Sequence, residues 1–346
     1  MEYINEININ QGIIHILDNN ADEPLLNEYP LDLTEEVYEF VFKHIQRCLK
    51  DEELKYAIFN KERNIVKEVS QEYLNGENDL INVSKELASQ MFILMRSKGS
   101  IPSCDLLTVS FTTEHGAFLG IFKMDYIKNY MHNVEFVEGK VGIHIVPQFT
   151  GLPSSSSRIQ KCAFIKVMAS DNDYDLLVID KQNKTNKDNN DYGANYFIDN
   201  YLGCTIIENS RDKTKQFLKV AEKWTQTALN ENAEGQEIVR REVKRRLREE
   251  ETIDLATFTE EVFQNDDKMK ESFKTFAVES GVGEKIDLDK QWVEKKLKRV
   301  RLKIDKDIDI YISEEAYNDI NRFEIERVGD GSINMKIKHI LNYSEK

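Results

Sequence analysis

Residues 104–122 read CDLLTVSFTTEHGAFLGIF. Two apolar, β-rich runs, 106–111 and 117–122, flank the polar triplet Glu114-His115-Gly116, the pattern of a β-hairpin. The same grammar extends on both sides. Residues 141–146 and 162–168 read as further strands, separated by 147–157. Leu176-Leu177-Val178-Ile179 pairs with 162–168 across a turn at 170–175. Upstream, Ile7-Asn8-Ile9-Asn10 alternates and Ile13-Ile14-His15-Ile16-Leu17 continues as a buried strand that ends at Asp18-Asn19-Asn20. Helices are inserted among these strands. Val37, Val41, Ile45 and Cys48/Leu49 predict a helix over 34–50, capped by Asp32 with Glu35 or by Thr34 alone. Val83, Leu87, Met91 and Leu94/Met95 predict a second helix over 81–97, stopped by Gly99 and Pro102. Hairpins with inserted helices define an α+β fold with an N-terminal antiparallel sheet, rather than alternating βαβ units.

Residues 181–195, KQNKTNKDNNDYGAN, hold almost nothing a core can use, and we expect a polar linker or loop there. This divides the chain into an α+β domain over 1–180 and a helical, then β-rich, domain over 196–346. Phe217, Ala221, Trp224 and Ala228 mark one helix; Val239, Val243 and Leu247 mark another. Thr257 with Glu260 reads as the capping box of a third. Phe273, Phe276 and Ala277 mark a fourth, closed by Ser280-Gly281. The period then changes to two. Val300, Leu302 and Ile304 alternate with Arg299, Arg301 and Lys303. A turn at 305–307 would pair Ile304 with Ile308 and Lys303 with Asp309; a continuous bent strand is the alternative. A three-residue turn at 330–332 would pair Ile325 with Ile337, Glu326 with Lys336 and Glu324 with Lys338.

The 346 residues carry 47 Lys+Arg against 62 Asp+Glu, a net charge of −15, with 40% hydrophobic residues. That balance excludes collagen-like and fully disordered chains. No apolar run approaches a bilayer span, and residues 1–6 lack the start of a signal peptide, so no membrane association is expected. The four cysteines form no CxxC pair and read as small apolar residues of a reducing compartment. The six histidines have no ligand spacing, and His15 and His144 fit hydrogen-bonded strand positions better than metal ligands. Phosphate-loop, dinucleotide and hydrolase motifs are absent, so no cofactor is expected. Asp125 followed by Glu138-Gly139-Lys140 is a weak metal-nuclease pattern, and the triplet reads better as a turn. Ser154-Ser155-Ser156-Ser157-Arg158 fits a loop better than an anion site.

Two segments oppose the acidic background. IVRREVKRRLR (238–248) has a net charge of +5 and KQWVEKKLKRVRLK (290–303) of +6, leaving −26 for the rest. Such segregation permits a local face for a polyanion. Arg240, Arg241, Lys244, Arg245 and Arg248 flank the apolar stripe of the first segment and form the leading candidates for phosphate contact. Lys295, Lys296, Lys298, Arg299 and Arg301 form a second set. The competing reading is a solvated face, neutralised by Glu249-Glu250-Glu251 in the first segment and by Asp305, Asp307 and Asp309 in the second.

INQGIIHILDNNADEPLLNEYPLDL, CDLLTVSF, GAFLGIFKMDY, SSSRIQKCAFIKV and YFIDNYLGC together resemble the bacterial nucleoid-associated protein family, its NdpA-like group. The resemblance implies a cytoplasmic, nucleoid-located protein that binds double-stranded DNA and contacts DNA-topology enzymes; it does not imply catalysis, and we expect a non-enzymatic protein. It carries no ligand residues position by position, so the candidate DNA contacts rest on charge alone. A protein-interaction adaptor and, more remotely, a metal-dependent nuclease are the alternatives. A homodimer is compatible with either of the first two readings.

Overall fold

A computed structural model describes residues 3–154, 158–181, 195–264, 266–305 and 307–342, with Val137 and Thr150 described by backbone alone. The chain divides into two compact units, Glu2–Ile207 and Glu208–Lys346.

The first unit is built on a seven-stranded sheet in the order β1-β3-β4-β7-β8-β2-β9, with every neighbouring pair antiparallel. Its strands are β1 (Asn8–Leu17), β2 (Lys55–Phe59), β3 (Cys104–Thr113), β4 (Gly116–Asp125), β7 (Lys161–Lys166), β8 (Leu176–Asp180) and β9 (Cys204–Ile207). The β3–β4 hairpin forms as expected, with Thr113 opposite Gly116. The run from Cys104 to Phe111 is buried without alternation, because both faces of the sheet are covered. On one face α2 (Ile65–Leu74) and α3 (Leu80–Ser97) enclose a core that includes Leu106, Leu119, Ile121, Val83 and Met91. On the other, the Cys48 thiol of α1 (Glu35–Leu49) meets the Cys162 thiol of β7, in a layer that also buries Phe111, Phe118, Phe122 and Phe164. All four cysteines are buried free thiols.

Several expectations are refined here. Thr34 alone caps α1, its side chain accepting from the Val37 amide. Residues 8–17 form one strand with a bulge between Ile9 and Gln11. Strand β2 and helix α2 escaped the sequence reading, being five and ten residues long. Pro147 belongs to a strand, not to a connection. It lies within β6 (Lys140–Thr150), which pairs with β5 (Ile127–Val137) as a separate two-stranded ribbon. Each strand of such a ribbon has an unpaired edge, where a residue without an N–H is tolerated. Residues 182–194 of the expected linker lie outside the described residues. The chain re-enters the first unit beyond them, through a π-helical turn, Tyr196–Leu202, that buries Tyr196, Phe197, Tyr201 and Leu202. Strand β9 then pairs with β2, so the two units divide between Ile207 and Glu208 and not at 181–195.

The second unit packs α4 (Ser210–Ala228), α5 (Ala233–Glu249), α6 (Leu255–Phe263), α7 (Asp267–Glu279) and α8 (Lys290–Leu297) around Phe217, Trp224, Val243, Phe258 and Phe273. Asp254, not Thr257, caps α6, and it accepts from the Thr257 amide. The ending of α7 is as expected. Gly281 takes φ +81°, and Val282 N–H donates to the Ala277 carbonyl. Strands β12 (Arg299–Ile304) and β13 (Ile308–Ser313) pair in the predicted register, Ile304 opposite Ile308 and Lys303 opposite Asp309. The last hairpin, β14 (Phe323–Arg327) with β15 (Ile333–Ile337), is slipped by two residues from the prediction. Ile325 faces Met335, because Gly329 (φ +89°) and Gly331 (φ +92°) close a five-residue loop rather than a three-residue turn. A slip of two keeps every side chain on its face. The predicted charge pairs therefore still form, diagonally: Lys336–Glu326 at 2.6 Å and Lys338–Glu324 at 2.7 Å.

Candidate nucleic-acid interface

Helix α5 carries the first basic segment. Asn232 caps it, and Val239, Val243 and Leu247 bury the expected stripe. Around that stripe the arginines are matched by carboxylates. Arg240 pairs with Glu222 of α4 at 2.8 Å. Arg241 lies 3.7 Å from Glu237. Arg245 pairs with Glu242 and, at 2.7 Å, with Glu249. Arg248 pairs with Glu314 of α9 (Glu314–Asn318). Arg246 is 6% exposed and meets Glu242, Glu250 and Glu261, which makes it a structural residue. The hydrogen bonds of Arg245 and Arg246 hold the Glu242 carboxyl below its ordinary range. Lys244 is half-buried, with Nζ 4.7 Å from the centre of the Tyr317 ring. Burial, reinforced by Arg248 and Arg240, lowers its pKa from the ordinary value.

The second segment is arranged differently. Asp289 caps α8 at the Trp292 amide, and Trp292, Val293 and Leu297 turn inward. Lys290 donates to the carbonyls of Leu247, Arg248 and Glu250 at 3.2, 2.6 and 2.7 Å. It thus caps the C-terminal end of α5, where a positive charge is favoured by the helix dipole. Lys295, Lys296, Lys298 and Arg299 are exposed. In β12, alternation puts Val300, Leu302 and Ile304 inward and Arg299, Arg301 and Lys303 outward. Arg301 pairs with Asp309 at 3.2 Å and lies over the Tyr311 ring. Among the described residues, no carboxylate lies within ion-pair distance of Lys296, Lys298, Arg299 or Lys303.

The two segments meet. A cleft of about 550 Å³ is walled by α4, α5 and β12, and it gathers Arg240, Lys244, Arg301 and Lys303 with Glu222 and Met335. A smaller hollow of about 340 Å³ joins Arg248, Lys290 and Lys298 with Glu294 and Glu314. Arg241, Arg245, Lys295, Lys296 and Arg299 line neither. Of the carboxylates around α5, the sequence reading named Glu249 and Glu250, which do pair with Arg245 and Arg246, and missed the rest. Glu237, Glu242, Glu249 and Glu250 stand three or four residues from their arginines, a readable signal. Glu222, Glu261 and Glu314 come from other helices and left none.

The nuclease pattern does not assemble. Glu138 (φ +50°) and Gly139 (φ +76°) form the two-residue turn that joins β5 to β6. Asp125 lies at the opposite end of β5, paired with the buried Lys123. Among the described residues no group of three or more His, Cys, Asp or Glu side chains is placed to hold a metal ion. His15 is a buried, hydrogen-bonded strand residue, as expected. Among the same residues no helix is long and apolar enough to cross a membrane.

Fold and cleft thus define an acidic α+β protein whose second unit concentrates cations from two distant segments. The chain belongs to the NA37 family: the family model described as nucleoid-associated protein YejK matches residues 13–345, which takes in both units. Membership gives it a nucleoid-associated role in the bacterial cytoplasm, in agreement with the resemblance noted above. A search of curated proteins found no match.

Proposed function

We propose that the chain is a non-enzymatic protein that binds double-stranded DNA through backbone phosphates, with little sequence selection. The observation that carries this reading is the cleft whose lining brings Arg240 and Lys244 of α5 together with Arg301 and Lys303 of β12, some sixty residues apart in sequence. Beside it stand the exposed cations Lys296, Lys298 and Arg299. The second segment contributes more than α5. A phosphate near Arg241 or Arg245 meets a carboxylate within a few ångströms of each cation, well inside the screening length of about 8 Å. Lys and Arg contacts to phosphate fix orientation without reading bases. Binding of a labelled duplex to Lys298→Glu with Arg299→Glu tests this. The reading expects a loss of at least about tenfold, equal for duplexes of different sequence; undiminished binding refutes it.

A second reading is favoured by the neutralised helix α5 and the net charge of −15: an adaptor that meets DNA-processing proteins such as topology enzymes. It gains the upper hand when charge reversal at Lys298, Arg299, Arg241 and Arg245 leaves duplex affinity unchanged while a protein partner is still retained.

A further inference from the structure

The β5–β6 ribbon stands apart from the seven-stranded sheet, and its two faces differ in chemistry. Its register puts Asn129, Gln148, Asn133, His144 and Glu135 on one face, interrupted by the apolar Met131–Val146 pair and by Ile127. The other face holds the cross-strand pairs Tyr130–Pro147, His132–Ile145, Val134–Ile143 and Phe136–Val141, with Phe149 opposite Lys128 at the base. It carries no carboxylate. Six of its side chains, Tyr130, Val134, Phe136, Ile143, Ile145 and Phe149, are between 44% and 79% exposed. A two-stranded ribbon has no second layer of its own, and an apolar face this continuous is not left to water on a soluble chain.

We infer that this face is the surface on which a second copy of the chain docks, ribbon against ribbon about a two-fold axis. Three observations select that occupant. The first is area. Exposures of this size on aromatic and branched side chains leave on the order of 800 Å² open, about what each partner contributes to a standard stable interface. The second is charge. Two copies at −15 each repel over most of their surface, and this face brings no carboxylate to the other copy. With Lys128 as its single ammonium, at the base, the face also offers a polyanion almost nothing. The third is self-complementarity. Apolar side chains run the length of the face, from Tyr130 and Phe149 to Phe136 and Val141, so a copy rotated by a two-fold axis sets apolar against apolar throughout, as an isologous contact requires. The segment 182–194, QNKTNKDNNDYGA, has no apolar run to lay against this face.

The inference concerns the first unit and stands or falls separately from DNA binding. Sedimentation equilibrium of the full chain, from low to mid micromolar, tests it. The wild type should fit a monomer–dimer equilibrium. Ile145→Asp, at a position 79% exposed and so outside the core, should weaken the dimer by at least roughly 100-fold. Ile145→Ser should weaken it less, which keeps the test alive if the aspartate variant does not fold. Asn133→Asp on the polar face should leave it unchanged. A wild type that stays monomeric throughout, or an Ile145 variant that dimerises as the wild type does, overturns the inference. So does a monomeric wild type that binds neutral lipid vesicles through Ile145, which would assign the face to a membrane surface.

Discussion

Replacing Lys298 and Arg299 together by alanine should halve the salt sensitivity of DNA binding. Four exposed cations of the second segment, Lys296, Lys298, Arg299 and Lys303, have no carboxylate partner among the described residues. Each contact between such a cation and a phosphate releases a condensed counterion, and log K falls by about 0.9 per decade of salt for each. Four contacts give a slope of about −3.6, a loss of roughly 150-fold in affinity between 50 and 200 mM monovalent salt. Two contacts give about −1.8, a loss of roughly 12-fold over the same interval. The comparison variant is Arg241→Ala with Arg245→Ala. Those side chains already face Glu237, Glu242 and Glu249, so their removal should barely change the slope. The assay is fluorescence anisotropy of a labelled duplex across a potassium chloride series, read as slope rather than as a single affinity. A wild-type slope near zero removes the phosphate reading. A slope governed by Arg241 and Arg245 instead of Lys298 and Arg299 shows that the ion pairs of α5 open on binding, and refutes the assignment to the second segment.

Two further outcomes follow from the first unit. His15 is fully buried in β1; Ser84 donates to the Ile81 carbonyl and accepts from His15 Nε2, while His15 Nδ1 accepts from the Asn27 amide. That arrangement suits only the neutral ring, and burial, with Lys85 nearby, lowers its pKa to about 4. The unfolded chain takes up this proton below about 6.5 and the folded chain does not until about 4, so stability falls as pH drops through that window, by up to about 3 kcal/mol in all. Urea midpoints at pH 7 and pH 4.5 read it, and a His15→Gln variant with the same pH dependence would count against it. Lys161 and Asp180 form an ion pair with side chains 0% and 1% exposed. Asp180→Ala should cost about 3–5 kcal/mol in urea unfolding, and Lys161→Met with Asp180→Leu should recover most of it; a mild single variant would mean that water reaches the pair.

What the sequence disclosed follows from the range of the forces involved. The β3–β4 hairpin, the stripes of α1, α3, α4 and α5, and the register of β12 with β13 were legible because each is written in a local period or turn. The Cys104–Phe111 run could show that β3 is covered on both faces, but not by what. Strand β2 was hidden because KYAIF is too short to show alternation, and its pairing with both β8 and β9 is tertiary. The last hairpin shows the opposite limit. Its charge pairs were read correctly and its backbone register was not, because long side chains reach diagonally across a two-residue slip.

The two basic segments differ for the same reason, and the difference bears on which of them faces a polyanion. In α5 the helical repeat brings residues three and four apart together, so Glu237, Glu242, Glu249 and Glu250 reach Arg241, Arg245 and Arg246. The net +5 of that segment is then spent inside the unit, where Arg246 joins α5 to Glu261 of α6 and Arg248 joins it to Glu314 of α9. In β12 the repeat is two. Arg299, Arg301 and Lys303 share the face opposite Val300, Leu302 and Ile304, and the only acidic side chains that the register sets against them come from β13. Asp309, opposite Lys303 in the register, pairs with Arg301, and among the described residues no carboxylate lies within ion-pair distance of Arg299 or Lys303. A run of cations on a strand therefore keeps its charge for a partner, where the same run on a helix interleaved with glutamates does not. That is why an acidic chain can keep an exposed row of cations on β12, while the basic run on α5 serves mainly to hold its own helices together.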